Sequence, residues 1–344
     1  MNDPIDINTK ITLVKKEKEV KELIFNKSLA IEMLTKSVVQ SWSSWGKFQQ
    51  TWCNRAYNTF KDYDKYILLI YLFRQVWQNY ADNFNYYSLD EFYSNNEFVI
   101  DKINLIQISE ELHIPKETIR RKVNEFQNEG ILKRNGKTII LNKEAVNHQK
   151  PVKTVKLLSH FIYKKSLDLQ NLSWFGDNLS EDYVEAFIKK HFTLCWIHFF
   201  RLQIPYLIRH RDLFGDLETW NVWGVIALNH RYYLNMQLKK SIIIEDLDFK
   251  DYYQKILHTK PSHAINASSI SDISNIPRAT VLRKLKWLVK NNLIKRTKNL
   301  QYVLKPKGIE NKKINENFIY NQEKVSAFVC DILNMIKDPR FKIK

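Results

Sequence analysis

Glycine and proline are scarce, seven and eight in 344 residues, and that scarcity removes several architectures at once. A large sheet needs many turns built on these residues, and a phosphate-cradling loop needs clustered glycines. No GxSxG elbow, HExxH pair or kinase signature is present, so an enzyme is not expected, nor a cofactor. The three cysteines, Cys53, Cys195 and Cys330, lie far apart and form no CxxC pair. That pattern argues against a disulfide framework or a zinc ribbon and suits a reducing cytosol. Long apolar runs are missing too: Tyr66 to Phe73 and Leu194 to Ile197 are the longest, against the roughly 20 residues of a membrane span. The polar start Met1-Asn2-Asp3-Pro4 and the charged stretch Lys15 to Lys21 lack the pattern of a secretory signal. Acidic residues are the last deficit. Asp and Glu number 37 against 54 Lys and Arg, a formal net charge of +17, which suits a polyanionic partner such as nucleic acid. A chain rich in Lys, Asn and Ile can also take such a charge from genome composition, so where the charge sits matters more than its sum.

What the chain does have is apolar and aromatic residues at three- and four-residue intervals, the spacing of helices, and an internal repeat. Ile103 to Arg134 aligns without gaps on Ile265 to Arg296, an offset of 162, with 11 of 32 positions identical. Random pairing would give about two. The identities include Asn104/Asn266, Ser109/Ser271, Pro115/Pro277, Thr118/Thr280, Arg121/Arg283 and Lys122/Lys284. A fainter echo lies upstream at an offset of 154, where Phe60, Asp62, Asp64 and Tyr66 match Phe214, Asp216, Glu218 and Trp220. The changed offset predicts insertions between helices. Tyr66, Leu69, Ile70, Phe73, Trp77 and Tyr80 share one helical face, as do Trp220, Trp223, Ile226, Ala227, His230, Tyr233 and Leu234.

Within the first copy, Ile108 and Leu112 define a short helix, a turn follows at His113 and Ile114, and Pro115 is expected at the first position of a second helix. There Ile119, Val123 and Phe126 recur on the inner side, leaving Lys116, Thr118, Arg120, Arg121 and Asn124 on other faces. Such a helix can lock its apolar side to a scaffold and offer its polar side to a major groove about 12 Å wide. Gly130 suits the left-handed position that ends a helix. Two strand-like runs divided by Asn135-Gly136 then predict a hairpin, or wing, carrying Lys133, Arg134 and Lys137. The second copy repeats the plan with Val281, Leu285 and Leu288 inside, Asn292 in place of Gly130, and a turn at Thr297-Lys298-Asn299. From Ile273 to Ile309 there are ten Lys or Arg and no Asp or Glu, a local exclusion that a general bias does not produce.

The stretches IPKETIRRKVNEFQNEGILKR and IPRATVLRKLKWLVKNNLIKR resemble the recognition-helix region of bacterial winged helix-turn-helix regulators of the Crp and IclR kinds. The likeness covers about 40 residues per copy, and is specific for the module more than for the family. It implies phosphate and base-edge contacts from a Thr and the Arg three residues on, which are Thr118 with Arg121 and Thr280 with Arg283. No cyclic-nucleotide barrel and no IclR-type effector domain accompany it, so no effector is implied.

The expected fold is mainly α: two winged helix-turn-helix units, each preceded by aromatic-rich helices and ending in a small β-wing, related by internal duplication. Its divisions are a charged N-terminal helix (1–28), a helical segment with the first winged unit (29–148; motif 103–142), a connecting segment (149–182), a second such unit (183–306; motif 265–304) and a C-terminal amphipathic helix (307–344). The expected partner is double-stranded DNA, bound by a monomeric pseudo-dimer or a homodimer at the nucleoid, with no membrane. DNA-facing candidates are Lys116, Thr118, Arg120, Arg121 and Asn124 on the first helix and Arg278, Thr280, Arg283, Lys284 and Lys286 on the second, with the wing residues Lys133, Arg134, Lys137, Lys295, Arg296 and Lys298. Arg120 aligns with Leu282, and Asn124 with Lys286, so the first head is expected to read bases and the second to grip phosphate on an asymmetric site. Two other classes remain open: a replication initiator with two winged helices, and a scaffold whose winged modules bind protein. His191, Cys195 and His198 are the closest approach to a metal set, but aromatic neighbours place them in a core helix. Trp42, Trp45, Trp52, Trp196, Trp220 and Trp223 are expected in the core before an effector pocket.

Overall fold

The computed structural model describes residues 27–36, 38–83, 86–94, 97–100, 103–135, 138–142, 150–170, 179–239, 263–305 and 309–343. The expected N-terminal helix 1–28 lies almost wholly outside them, as do the Trp42 side chain and Gly136 and Lys137 of the first hairpin turn. The described chain is mainly helical, with two small antiparallel sheets.

The first half runs α1 (Lys27–Lys36), α2 (Val38–Phe60), α3 (Tyr63–Asp82), the short α4 (Leu89–Ser94), β1 (Glu97–Ile100), α5 (Leu105–Leu112), α6 (Lys116–Asn128), β2 (Leu132–Asn135), β3 (Thr138–Asn142) and α7 (Val152–Gln170). The second half runs α8 (Glu181–Lys190), α9 (Phe192–Phe214), α10 (Leu217–Lys239), α11 (Ala267–Ser274), α12 (Arg278–Lys290), β4 (Ile294–Arg296), β5 (Tyr302–Leu304) and α13 (Ile309–Lys337). Apart from α4 and β1, the order among the described residues is the same.

The aromatic helices form the centre. Helix α3 packs along α9, α2 against α7, and α9 against α13, while α1 crosses to α13 and α8 to α7. Residues 65–73 of α3 are buried without interruption, because α3 lies between α9 and the first sheet. In α13, Val325, Phe328, Val329, Ile332, Leu333 and Ile336 are buried, so this helix packs on its own chain, against α1 and α9. The segment 149–182 is more than a connection. Its helix α7 buries Val155, Leu158, Phe161, Ile162 and Leu169, an apolar face that packs on α2.

Contacts recur between the halves at fixed offsets. Gln49 and Gln203, 154 residues apart and both buried, exchange hydrogen bonds, each side-chain amide donating to the other's oxygen at 2.8 and 2.9 Å. Trp45 meets Tyr206 edge to face at 5.9 Å, and Trp52 meets Phe199 edge to face at 5.0 Å. Phe199 and Tyr206 stand 154 residues after Trp45 and Trp52, so the second pair is the first with its halves exchanged. Arg55 donates to Thr154 Oγ1 at 2.8 Å, joining α2 to α7, and Arg209 donates to Asn321 Oδ1 at 2.9 Å, joining α9 to α13. Trp45 packs against Phe161 as Phe199 does against Phe328, with ring centres 5.1 and 5.9 Å apart.

Strand β1 has no counterpart in the sequence repeat. It pairs with β3, which also pairs with β2, giving the order β1-β3-β2. Its burial alternates, Phe98 and Ile100 inward and Val99 outward, the period of a half-buried strand. In the second half, Ile265 and Tyr302 form an isolated bridge beside β4 and β5.

Candidate nucleic-acid interface

The two heads, α5–α6 and α11–α12, each with its following hairpin, are built by the same local chemistry. Asn104 and Asn266 cap α5 and α11, their side chains accepting from the Ile106 and Gln107 amides and from the Ser269 amide. His113 (φ 51°) and Asn275 (φ 58°) end these helices in the left-handed region. Ser109 Oγ donates to the Ile114 carbonyl at 2.6 Å and Ser271 Oγ to the Ile276 carbonyl at 2.7 Å, which pins the turn. Pro115 and Pro277 follow with φ −53° and ψ 135° and 137°. That extended ψ corrects the expected placement: the prolines are the cap residues before α6 and α12, one position outside the first turn.

Both helices end alike. The Ile131 amide donates to the Phe126 carbonyl and the Leu293 amide to the Leu288 carbonyl, at 2.9 and 3.0 Å. The residues between, Gly130 and Asn292, have φ 69° and 59°, the geometry of a Schellman motif. The hairpins start there, and Asn135 pairs with Thr138 at the tip of the first.

Inward, Ile119, Val123 and Phe126 and their counterparts Val281, Leu285 and Leu288 are buried. The structure corrects the expectation for Lys284. It is 8% exposed, and its ammonium lies 2.5 Å from Asp216 and 3.1 Å from Glu218. Lys122, 3% exposed, is held in the same way by Asp62. Asp62 and Asp216 each cap the following helix, accepting from the Lys65 amide at 3.0 Å and from the Thr219 amide at 2.7 Å. Burial opposes ionisation of both carboxylates, but hydrogen bonds from Lys122 and from Lys284, with those cap amides, outweigh it and hold both below the usual aspartate value. Each lysine is thus neutralised and turned away from solvent. The signal lies in the sequence, since both members of each pair recur between the copies, but at different offsets.

The other expected residues do reach the surface. Lys116, Arg120, Arg121, Asn124, Lys133 and Arg134 are exposed on the first head, with Thr118 half-buried; Arg278, Arg283, Lys286, Lys295, Arg296 and Lys298 are exposed on the second, with Thr280 half-buried. Lys137 lies outside the described residues. Lys290, which is not among the sequence candidates, is also exposed and continues the stripe of Arg283 and Lys286 at helical spacing.

Electrostatically the heads differ. On α6, Glu117 holds Arg120 at 2.8 Å and Glu125 lies 3.8 Å from Arg121. Among the described residues, Arg283, Lys286, Lys290, Lys295, Arg296 and Lys298 form no ion pair, and the acids that α12 does meet, Asp216 and Glu218, are taken by Lys284. Among the described residues the second head therefore presents positive charge without ion pairs, and the first a mixed surface.

The aromatic cluster leaves little room for a ligand. Trp52, Tyr66, Phe73, Trp77, Trp196 and Phe200 help to line a cavity of about 40 Å³, far below the roughly 300 Å³ of a small-molecule pocket. His191 Nε2 donates to the Phe341 carbonyl, 2.8 Å away, and Cys195 is buried. Among the described residues no group of three His, Cys, Asp or Glu is placed to hold a metal ion, and no helix is long and apolar enough to cross a membrane. Comparison with protein-family models, with curated proteins and with solved structures finds no match.

Proposed function

We propose that this chain is a DNA-binding regulator of transcription in which two winged helix-turn-helix heads, related by internal duplication, set α6 and α12 into major grooves of duplex DNA. The observation that carries this reading is the second head. Among the described residues, the seven exposed cations Arg278, Arg283, Lys286, Lys290, Lys295, Arg296 and Lys298 on α12 and its hairpin form no ion pair, while the one lysine of that helix that faces inward is neutralised. A merely solvated basic face would not need its acids removed, whereas a phosphate-binding face is strengthened by each one lost. The capped turn, the inward apolar stripe and the outward Thr280 and Arg283 supply the form of a recognition helix. The resemblance to the Crp and IclR kinds of regulator adds the expectation that Thr118 with Arg121, and Thr280 with Arg283, touch the backbone and base edges. On the first head Glu117 must release Arg120 before that guanidinium can reach a guanine.

The test is selection of bound fragments from sheared genomic DNA at about 150 mM salt, where non-specific phosphate attraction is damped. Wild type is compared with the Arg121→Ala, Arg283→Ala double variant. Enrichment of a few upstream regions by wild type alone supports a regulator. Enrichment confined to repeats at one replication origin supports an initiator instead. Equal weak binding by both proteins, with nothing enriched, sinks the DNA reading and turns the search to protein partners.

A further inference from the structure

We infer that the two heads are set by an internal two-fold axis, so that a single chain occupies an inverted repeat of half-sites, where a direct repeat would not fit. This rests on the DNA reading above and adds the architecture of the bound site. The symmetry operator is visible in the core. A contact in which residue i meets its own counterpart, each donating to the other, forms when the two surfaces are related by a two-fold rotation; a head-to-tail arrangement of the halves pairs unlike residues. Gln49 and Gln203 are such a pair. Trp45 with Tyr206, and Trp52 with Phe199, are the exchanged pairs that the same rotation requires on either side of it.

The axis must also bring both heads to one side of the molecule, and the contacts at the helix ends do so. The turn between α2 and α3 and the turn between α9 and α10 are joined: Arg211 pairs with Asp64 at 3.1 Å, and the Asn221 amide donates to the Tyr63 hydroxyl at 2.9 Å. From these adjoining turns each half reaches across to the other's head. Arg211 of α9 donates to the Leu112 and His113 carbonyls in the turn after α5, at 2.5 and 3.2 Å. Asn54 of α2 donates to the Ile273 carbonyl at the end of α11, at 2.6 Å. Meanwhile Asp62 and Asp216 hold α6 and α12 from their own sides. Both heads therefore flank the axis at the same end of the helical body, the arrangement in which protein symmetry is matched by an inverted sequence. Because Leu282 and Lys286 stand where the first head has Arg120 and Asn124, the two half-sites are related but unequal.

The experiment starts from a randomised duplex library, from which full-length wild type selects its preferred half-site. Affinity and stoichiometry are then measured on duplexes carrying that half-site inverted, directly repeated, or alone. The inverted duplex is expected to bind one chain, roughly 10²-fold more tightly than the single half-site, the gain from tethering two heads. In footprints, Arg121→Ala should lose protection over one half and Arg283→Ala over the other. Preference for the direct repeat, or an inverted repeat filled only by two chains, overturns the inference and leaves DNA binding standing. Failure of wild type to select any duplex overturns the DNA reading and the inference together.

Discussion

Arg283 and Lys284 are neighbours in sequence and opposite in placement. The helix turns one outward and the other onto Asp216 and Glu218, so their substitutions should separate stability from binding. Lys284→Ala leaves two carboxylates without their cation at a partly buried site and should cost roughly 1–2 kcal/mol, discounted for the half-exposed Asp216. Arg283→Ala removes an exposed side chain and should stay within about 0.5 kcal/mol, while weakening DNA binding. Urea unfolding beside a binding titration checks both; a stable, binding-deficient Lys284→Ala would return that lysine to the interface. His210 offers a second test. Burial, only partly offset by a hydrogen bond to the Tyr206 carbonyl, pushes its imidazole down to about 3. The unfolded chain, with histidine near 6.5, takes up that proton first. The stability contributed by neutral His210 is therefore complete above about pH 7 and is lost as pH falls from about 6.5 towards 3, with a limiting slope of about 1.4 kcal/mol per pH unit. Unfolding midpoints between about pH 7 and 4.5 should fall for wild type and fall less for His210→Phe. Parallel curves would assign the effect to another group.

At the scale of elements, the ends of α6 and α12 solve one problem with two residues. Gly130 takes φ 69°, and a Cβ added there would meet nothing within 4 Å, so a side chain at this position faces backbone strain and no clash. Gly130→Ala should destabilise by about 1 kcal/mol, since a left-handed alanine costs roughly 1–2 kcal/mol. Gly130→Asn, which copies the second half, should cost less, and Asn292→Gly should be near neutral. A set of urea midpoints with Gly130→Ala below Gly130→Asn supports the Schellman ends; the reverse order does not. The hairpins diverge more than the helices. Among the described residues one has β1 alongside and the other a single bridge, since a wing is anchored at its base by the helix end and is free to vary towards its tip.

On the scale of the whole molecule, the Gln49–Gln203 pair ties the halves in the buried core. Changing one glutamine to leucine leaves the other's amide without this partner, at a cost of about 1–3 kcal/mol, whereas changing both removes the need. Gln49→Leu and Gln203→Leu should each destabilise, and the double variant should be more stable than their sum by at least about 1 kcal/mol. Simple additivity in a double-mutant cycle would mean that the two amides do not depend on one another, and would weaken the two-fold contact as a unit of the fold.

Much of the local structure is written in the chain by itself. Helical period, cap residues and left-handed helix ends depend on neighbours a few positions away, so the spacing of Ile108, Leu112, Ile119, Val123 and Phe126, and of their counterparts, marks α5, α6, α11 and α12 without reference to the rest. The exposed Arg121 and Arg283 follow from the same arithmetic. What crosses between distant segments is decided by tertiary structure alone. Lys122 and Lys284 have the pattern of surface charge until Asp62 and Asp216 arrive from turns 60 and 68 residues upstream. Helix α7 carries its apolar face at helical spacing, but that α2 is what covers it is shown only by the packing. The exchanged contacts of Gln49, Trp45 and Trp52 lie beyond any local pattern. A repeat in sequence states that two units are alike; the rotation that relates them is set by which surfaces pack, and that depends on side chains 154 residues apart meeting in the core.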